Sequence, residues 1–223
     1  TRPAGRGCAR RALRLASGAK GCVMADTPSK PEAVSRGTMV VVVGPSGAGK
    51  DTLIDYIRKT LSARPDVHFV RRTITRPAEA GGEDHTPASE AEFTALRAAG
   101  GFCVDWQAHG LRYGIPSAVC DVLQRGGLAI ANGSRSALPH FAAAFPNLLV
   151  INIVANPDVL AERLKARGRE TEDDIAARLR RSEEFTIPPG YRCVTIDNSG
   201  DLKEAGEAFL TVLATMSHEA STA

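Results

Sequence analysis

Short apolar runs that alternate with helical periodicities organise the chain from residue 39 onward. Five runs predict strands, namely Met39–Val43, Val67–Val70, Leu128–Ala131, Leu148–Val154 and Arg192–Ile196. Most are continuously apolar, which is typical of strands buried on both faces of a parallel sheet. We therefore expect an α/β fold in which about five parallel strands are flanked by helices.

Helix signals lie between these runs. Ser89 and Glu92 have the spacing of a capping box, and Asn156 followed by Pro157 is typical of a helix start. After the first run, apolar residues recur at helical spacing at Leu53, Ile54, Ile57 and Leu61. The alternation of strands and helices thus continues through the chain.

Residues 1–38 differ from the rest in charge. They hold eight basic and two acidic residues, a net charge of +6, whereas the remainder carries −3. We expect a disordered basic tail, because so few apolar residues cannot offset the entropy of ordering. Its composition fits an organelle transit peptide, and equally a start codon assigned too early or vector sequence.

The remainder of the chain has no basic face or long apolar stretch. No apolar run approaches the ~18 residues that span a bilayer, so we expect neither a nucleic-acid partner nor a membrane partner. The five cysteines form no CxxC pair and no metal-like spacing. Reduced thiols in a cytoplasmic protein are the expected state.

A phosphate-binding loop is predicted between the first strand and the first helix. Its residues fit G-x-x-x-x-G-K: Gly44, Pro45, Ser46, Gly47, Ala48, Gly49 and Lys50. Backbone N–H groups of such a loop surround phosphate oxygens, and the lysine reaches the β- and γ-phosphates. The loop predicts a nucleoside triphosphate as ligand, without distinguishing a kinase from a GTPase or a motor.

One residue departs from this motif. The position after Lys50 normally carries Ser or Thr as a ligand for Mg²⁺, and here it is Asp51. A carboxylate is a stronger, charged oxygen ligand for the same hard cation. We therefore predict that Asp51 binds the metal, with Thr52 close by.

The middle of the chain resembles a known family. The segments "RRTITRP", "GGEDH", "SEAEF", "GGF", "HGLRYGIP", "RLKARGRE" and "IAARL" follow "GPSGAGK" in that order. Together they resemble the guanylate kinase family from residue 39 almost to the end. The resemblance implies a kinase domain at 39–223 with the nucleoside-monophosphate-kinase fold, in which a P-loop core binds ATP and Mg²⁺. An acceptor lobe would lie at about 72–115 and an arginine-rich lid at about 165–180.

The same matching implies roles for individual residues. Lys50, Arg167 and Arg178 would be catalytic, and Asn198 would contact adenine. The acceptor would be bound by Arg72, Thr75, Arg76, His85, His109, Tyr113 and Arg135. Alternatives stay open: the lid segment also fits a solvated helical hairpin, the two histidines also fit structural hydrogen bonding, and Asn198 also fits a plain turn.

Departures from the guanylate kinase pattern concern the nucleobase. Val104 stands where the family has a glutamate that reads guanine, and a valine accepts no hydrogen bond. Asp105 should point elsewhere in an extended segment. Glu79 replaces a family arginine, and Asn132 or Ser134 replaces an aspartate on the third strand. The phosphate-binding side chains remain, so the acceptor should be a sugar phosphate.

The combination of "GPSGAGKD", "TRP" followed by "GGEDH", "WQAHGLRYGIP" and "NGSR" resembles more closely, over about residues 39–200, a branch of the family that serves phosphonate utilisation. It implies transfer of the ATP γ-phosphoryl group to the 1-phosphate of ribose 1,5-bisphosphate, giving 5-phospho-α-D-ribose 1-diphosphate and ADP. A true guanylate kinase and a non-catalytic guanylate-kinase-like binding module are the alternatives. A small-molecule partner and a monomer or homodimer are expected.

Overall fold

The computed structural model describes residues 36–78, 83–166, 172–183 and 186–221. Nine strands and seven helices are found in these ranges. The strands are β1 (Thr38–Val43), β2 (Val67–Phe69), β3 (Thr73–Ile74), β4 (Thr86–Pro87), β5 (Phe102–Ala108), β6 (Leu111–Pro116), β7 (Leu128–Asn132), β8 (Leu148–Val154) and β9 (Arg192–Asp197). The helices are α1 (Lys50–Thr60), α2 (Glu90–Ala98), α3 (Ala118–Gln124), α4 (Leu138–Ala144), α5 (Pro157–Ala166), α6 (Glu172–Glu183) and α7 (Leu202–Ser221).

The core is a five-stranded parallel sheet in the order β2-β7-β1-β8-β9. The central strand β1 is fully buried from Met39 to Val43. Met39, Val41 and Val43 face one apolar cluster, which includes Phe141 of α4. The intervening valines face the other, which includes Phe209 of α7. The predicted five-stranded parallel sheet flanked by helices is confirmed. Its central strand is one of the continuous apolar runs on which the prediction rested.

A smaller sheet forms a lobe inserted between β2 and α3. Its order is β4-β3-β6-β5, with β6 antiparallel to both β3 and β5. The predicted capping box is confirmed at the start of α2, where the Ser89 side chain accepts from the Glu92 N–H and the Glu92 carboxylate accepts from Ser89 N–H. We call residues 72–116 the acceptor lobe from here on, after the lobe predicted at about 72–115; its binding of the acceptor stays a prediction.

Residues 1–35 of the tail predicted at 1–38 lie outside the described residues, whereas Thr38 already begins β1. The centre of the predicted lid, at 167–171, and Glu79 also lie outside them. In the part that is described, no helix combines the length and the apolar character needed to cross a bilayer.

Candidate active site

The phosphate loop leaves the end of β1 and leads directly into α1. Three of its glycines have positive φ, at 150° for Gly44, 90° for Gly47 and 84° for Gly49. A Cβ at Gly44 would lie 2.2 Å from the Ile153 carbonyl oxygen, and one at Gly49 would lie 2.5 Å from Asn198 Nδ2. Glycine is therefore required at both positions by backbone conformation and by space.

Lys50 folds back across this loop. Its Nζ donates to the carbonyl oxygens of Gly44 and Pro45, each at 2.9 Å. The ammonium group is thus held at the mouth of the loop, beside the helix N-terminus, where phosphate groups are favoured by backbone N–H donors and by the helix dipole. The arrangement is suited to binding a polyphosphate.

A cavity of about 320 Å³ adjoins the loop, between Gly49, Thr52, Arg163 and Asn198. Asn198 is 3% exposed and its Nδ2 donates to the Ala48 carbonyl oxygen at 2.7 Å. The Asn198 Oδ1 atom and the Arg163 Nη1 atom are buried without a hydrogen-bond partner in the described structure. Because unpaired buried polar atoms are costly, these two atoms point to a polar ligand in the cavity.

Asp51 lies in the first turn of α1 and reaches the end of β7. Its Oδ1 accepts a hydrogen bond from Asn132 Nδ2 at 2.5 Å. The same Nδ2 donates to Glu83 Oε2, at 2.7 Å. Asn132 and Ser134 were the two residues considered at the end of the third predicted strand, which is β7. Asn132 contacts Asp51, whereas Ser134 accepts from the Ser136 N–H at 3.3 Å.

Arg72 is the most buried arginine of the acceptor lobe, with 8% exposure. Its Nε donates to Glu83 Oε1 at 2.7 Å, and its Nη2 lies 2.6 Å from Glu83 Oε2. The guanidinium also lies over the rings of Tyr113 at 4.9 Å and Trp106 at 5.6 Å. Arg72 was predicted to bind the acceptor, and its contacts within the protein are to Glu83 and these two rings.

Arg76 and His85 form a second cluster in the lobe. The Arg76 Nη2 lies 3.3 Å from His85 Nδ1, and its Nε is buried without a hydrogen-bond partner among the described residues. His85 is 4% exposed, and its ring nitrogens also contact the backbone oxygens of Glu83 and Arg76. These contacts favour the structural alternative for His85, while the Arg76 Nε is left available to a ligand.

The other predicted acceptor residues are spread over the lobe. Thr75 Oγ1 accepts from the Arg112 N–H at 2.9 Å. Tyr113 stacks on Trp106, with ring centroids 5.2 Å apart. His109 is exposed in the β5–β6 turn and has a φ of 51°. Thr75 and Arg76 follow directly after β3, which pairs with the strand β6 that carries Tyr113, and His109 has the conformation of a tight hairpin turn.

Arg135 and the lid arginines come from outside this sheet. Arg135 begins a short 3₁₀ turn after β7 and is half-buried. Burial lowers the pKa of its guanidinium, which still stays protonated at neutral pH. Arg178 belongs to α6, and Arg167 falls outside the described residues. The predicted roles of these arginines stay predictions.

The lobe position at which the family carries a guanine-contacting glutamate, which we call the base-reading position, is apolar in this chain. Val104 is 4% exposed and belongs to the core cluster that contains Trp106 and Phe141. Asp105 turns to the opposite face of β5, where its carboxylate lies 3.1 Å from Arg97 Nε. The prediction that Asp105 points away is confirmed, so neither residue places a carboxylate on the face of β5 that carries Val104 and Trp106.

Two residues of the site were not predicted as members of it. Glu83 belongs to "GGEDH", a segment in which only His85 was predicted as a site residue. Asp84 is exposed and pairs with Arg71 at 3.0 Å. Arg163 was given no role from the sequence, although it lines the cavity. No sequence motif pointed to Glu83, because its contacts are to Arg72 and Asn132 in other segments of the chain.

The chain resembles known proteins over most of its length. The family model described as guanylate kinase matches residues 36–212. A ribose 1,5-bisphosphate phosphokinase, PhnN, of Agrobacterium fabrum is 57% identical over 78% of this chain and 95% of its own. The protein of the same name from Rhizobium etli is 52% identical over 85% and 96%. A guanylate kinase structure from Anaplasma phagocytophilum has a TM-score of 0.61 at 18% identity, over 82% and 87% of the two chains, which supports the fold alone.

Proposed function

The chain belongs to the guanylate kinase family and, within it, to the ribose 1,5-bisphosphate phosphokinases, and from this membership and the site we infer an enzyme that phosphorylates ribose 1,5-bisphosphate. The γ-phosphoryl group of ATP passes to an oxygen of the 1-phosphate. The products are 5-phospho-α-D-ribose 1-diphosphate and ADP. Phosphonate utilisation is the process this reaction serves.

The donor site is the phosphate loop together with the adjoining cavity. The backbone of Gly44–Gly49 and the Lys50 ammonium would hold the β- and γ-phosphates. Asn198 Oδ1 and Arg163 Nη1, both buried without a partner among the described residues, would meet the adenine end of ATP in the cavity. Each atom then gains the hydrogen bond that it lacks in the protein alone.

The residues at the helix start also fit Mg²⁺. Asp51 provides a carboxylate one residue after Lys50, and carboxylate oxygen is a preferred ligand of this hard cation. When bound, the cation would neutralise negative charge on the β- and γ-phosphate oxygens. Asp51 therefore takes the part that a Ser or Thr hydroxyl plays in the usual motif.

The observation that decides the acceptor is the apolar surface at Val104. A guanine base needs a hydrogen-bond acceptor there, and a site without it loses most of its discrimination for the base. The described donors of the lobe suit phosphate instead. Arg76 Nε is buried without a partner among the described residues, and Tyr113 carries a hydroxyl on β6, which pairs with β3 just before Thr75 and Arg76. Thr75, His109 and Arg135 are the further proposed contacts to the acceptor, while His85 holds Arg76 in place.

The chemistry requires positioning and charge neutralisation more than proton transfer. The attacking oxygen belongs to a phosphate that is already ionised at neutral pH, so no general base is needed. Lys50, Arg167 and Arg178 would neutralise the charge that spreads over the transferred group. We propose a small-molecule acceptor and a cytoplasmic location, with a monomer or homodimer as the working unit.

A paired assay tests this function. The protein is incubated with ATP and Mg²⁺, and with either ribose 1,5-bisphosphate or GMP, and both nucleotide and sugar products are quantified. We expect ADP and 5-phospho-α-D-ribose 1-diphosphate in the first reaction and no GDP in the second. GDP as the main product would establish a guanylate kinase with altered base contacts. Absence of product in both reactions would favour a binding module.

A further inference from the structure

Two carboxylates from different parts of the fold share one amide group. Asn132 Nδ2 donates to Asp51 Oδ1 at 2.5 Å and to Glu83 Oε2 at 2.7 Å. Asp51 belongs to α1 of the core, and Glu83 belongs to the loop before β4 of the acceptor lobe. The two carboxylate oxygens are therefore no farther apart than the sum of these distances.

Glu83 is held firmly in this position. Its side chain is 14% exposed, and both of its oxygens contact the guanidinium of Arg72, which is itself buried. A bidentate pair of this kind fixes the orientation of the carboxylate as well as its position. Arg72 in turn lies over Tyr113 and Trp106. The acceptor lobe thus directs a carboxylate toward the phosphate loop.

The groups that hold the two carboxylates together do not cancel the charge of Asp51. The NH₂ group of Asn132 is neutral, so it satisfies hydrogen bonding of both carboxylates without cancelling a charge. Two like charges at this separation repel each other, and Arg72 offsets that of Glu83. A divalent cation between the two oxygens would attract both. Around Mg²⁺, with ligands at about 2.1 Å, oxygens stand about 3 to 4 Å apart, so small movements would suffice.

We propose that Glu83 is the second carboxylate of the magnesium site, acting with Asp51. The proposal rests on the proposed function, because it concerns the cation that accompanies ATP. It gives the acceptor lobe a direct part in the donor site, since one ligand comes from each. Asn132 holds the two carboxylates together in the absence of the cation. Nucleotide with its metal would then stabilise the lobe in the position seen here.

Manganese binding tests the proposal without measuring turnover. Free Mn²⁺ is followed by electron paramagnetic resonance while the protein, saturated with an ATP analogue that cannot transfer its γ-phosphoryl group, is titrated with the ion. We expect Glu83→Gln and Asp51→Asn each to weaken Mn²⁺ binding about tenfold or more, as lost ligands do. Glu90→Gln is the matched control, because this carboxylate of the same lobe is 65% exposed and pairs only loosely with Arg112, at 3.6 Å. It should bind Mn²⁺ like the parent protein.

A second variant covers the case in which Glu83→Gln does not fold. Glu83→Asp keeps a negative charge for Arg72 but draws the carboxylate away from Asn132. If Glu83 only balances the charge of Arg72, this variant will bind Mn²⁺ normally, and the proposal will be overturned. We expect weaker binding with an unchanged thermal midpoint.

The outcomes separate this proposal from the function on which it rests. Normal Mn²⁺ affinity in both Glu83 variants, with a loss in Asp51→Asn, would remove Glu83 from the metal site and leave the kinase assignment intact. A raised KM for ribose 1,5-bisphosphate with normal Mn²⁺ affinity would assign Glu83 to the acceptor and also overturn the proposal. Normal affinity in Asp51→Asn as well would remove both carboxylates from the metal site, while the paired product assay would still decide the function.

Discussion

The core sheet and the acceptor lobe are stabilised by different means. The core strand β1 is apolar and fully buried, and it packs on both faces against helices. The lobe, in contrast, buries polar groups. Of the four polar residues buried in the described structure, Arg72, Thr73 and His85 belong to the lobe, and Asn198 lies against the phosphate loop.

This difference corresponds to two ways of binding phosphate. In the core, the loop offers backbone N–H groups and one lysine, which act on any polyphosphate and need a fixed backbone shape. In the lobe, side chains from separate segments must be oriented by one another. Arg72 orients Glu83, and His85 lies against Arg76. Acceptor identity can therefore change in the lobe while the donor site keeps its form.

The largest effect should follow from breaking the buried pair of the lobe. Arg72→Met leaves the Glu83 carboxylate without its cation in a site that is 14% exposed. Removing one partner of a buried pair typically costs about 3–5 kcal/mol, because a buried charge is left uncompensated. We expect a loss of that size in the free energy of unfolding, measured by urea denaturation.

Arg71→Met is the matched control for this change. Arg71 is adjacent in sequence and pairs with Asp84, but both side chains are more than half exposed. Exposed pairs contribute about 0–1 kcal/mol. Equal losses in the two variants would show that the lobe does not depend on its buried pair, and the contrast with the apolar core would fail.

The next largest effect concerns the donor site. Lys50→Ala removes the ammonium group at the mouth of the phosphate loop. Loss of one preorganised donor at a developing charge typically lowers kcat by about 10²–10³. We expect a fall of this size in ADP formation with ribose 1,5-bisphosphate. Lys59 is an exposed lysine near the end of the same helix, and Lys59→Ala is the control. We expect this variant to retain the parent rate. An equal reduction of kcat in both variants would exclude the phosphate loop as the site of chemistry.

A smaller effect should come from the shape of the loop. Gly49→Ala and Gly126→Ala both place a side chain at a φ of 84°, which costs about 1–2 kcal/mol in each. A Cβ at Gly49 would also meet Asn198 Nδ2 at 2.5 Å, whereas one at Gly126 meets nothing within 4 Å. We expect Gly49→Ala to be less stable by roughly a further 1 kcal/mol. We also expect Gly49→Ala to bind a non-hydrolysable ATP analogue more weakly than Gly126→Ala does, as measured by calorimetry. Equal binding by the two variants would contradict the close approach of Gly49 to Asn198.

What could be predicted from the sequence also differs between the core sheet and the acceptor lobe. The central strands β1, β7 and β8 and the phosphate loop were predictable, because burial on two faces leaves continuous apolar runs and a loop around phosphate needs glycine at set positions. The loss of a base contact at Val104 could also be predicted from the sequence. The role of Glu83 could not be predicted, since it depends on Asn132, 49 residues away, and on Arg72. A side-chain network between distant segments leaves no periodicity and no motif spacing in the sequence from which it could be predicted.

The smallest effect is expected at Asp105, and it tests the acceptor assignment most directly. This carboxylate is next to the base-reading position but lies on the outer face of β5, where it pairs with an arginine that is 59% exposed. Asp105→Asn should change the free energy of unfolding by less than about 1 kcal/mol. Its KM for ribose 1,5-bisphosphate should stay within about twofold, because a residue outside the site contributes no differential binding energy. A large rise in KM would mean that Asp105 turns toward the acceptor when substrate is bound. The lobe would then still carry a carboxylate for recognising its ligand, and the absence of a base contact at Val104 would no longer argue against GMP.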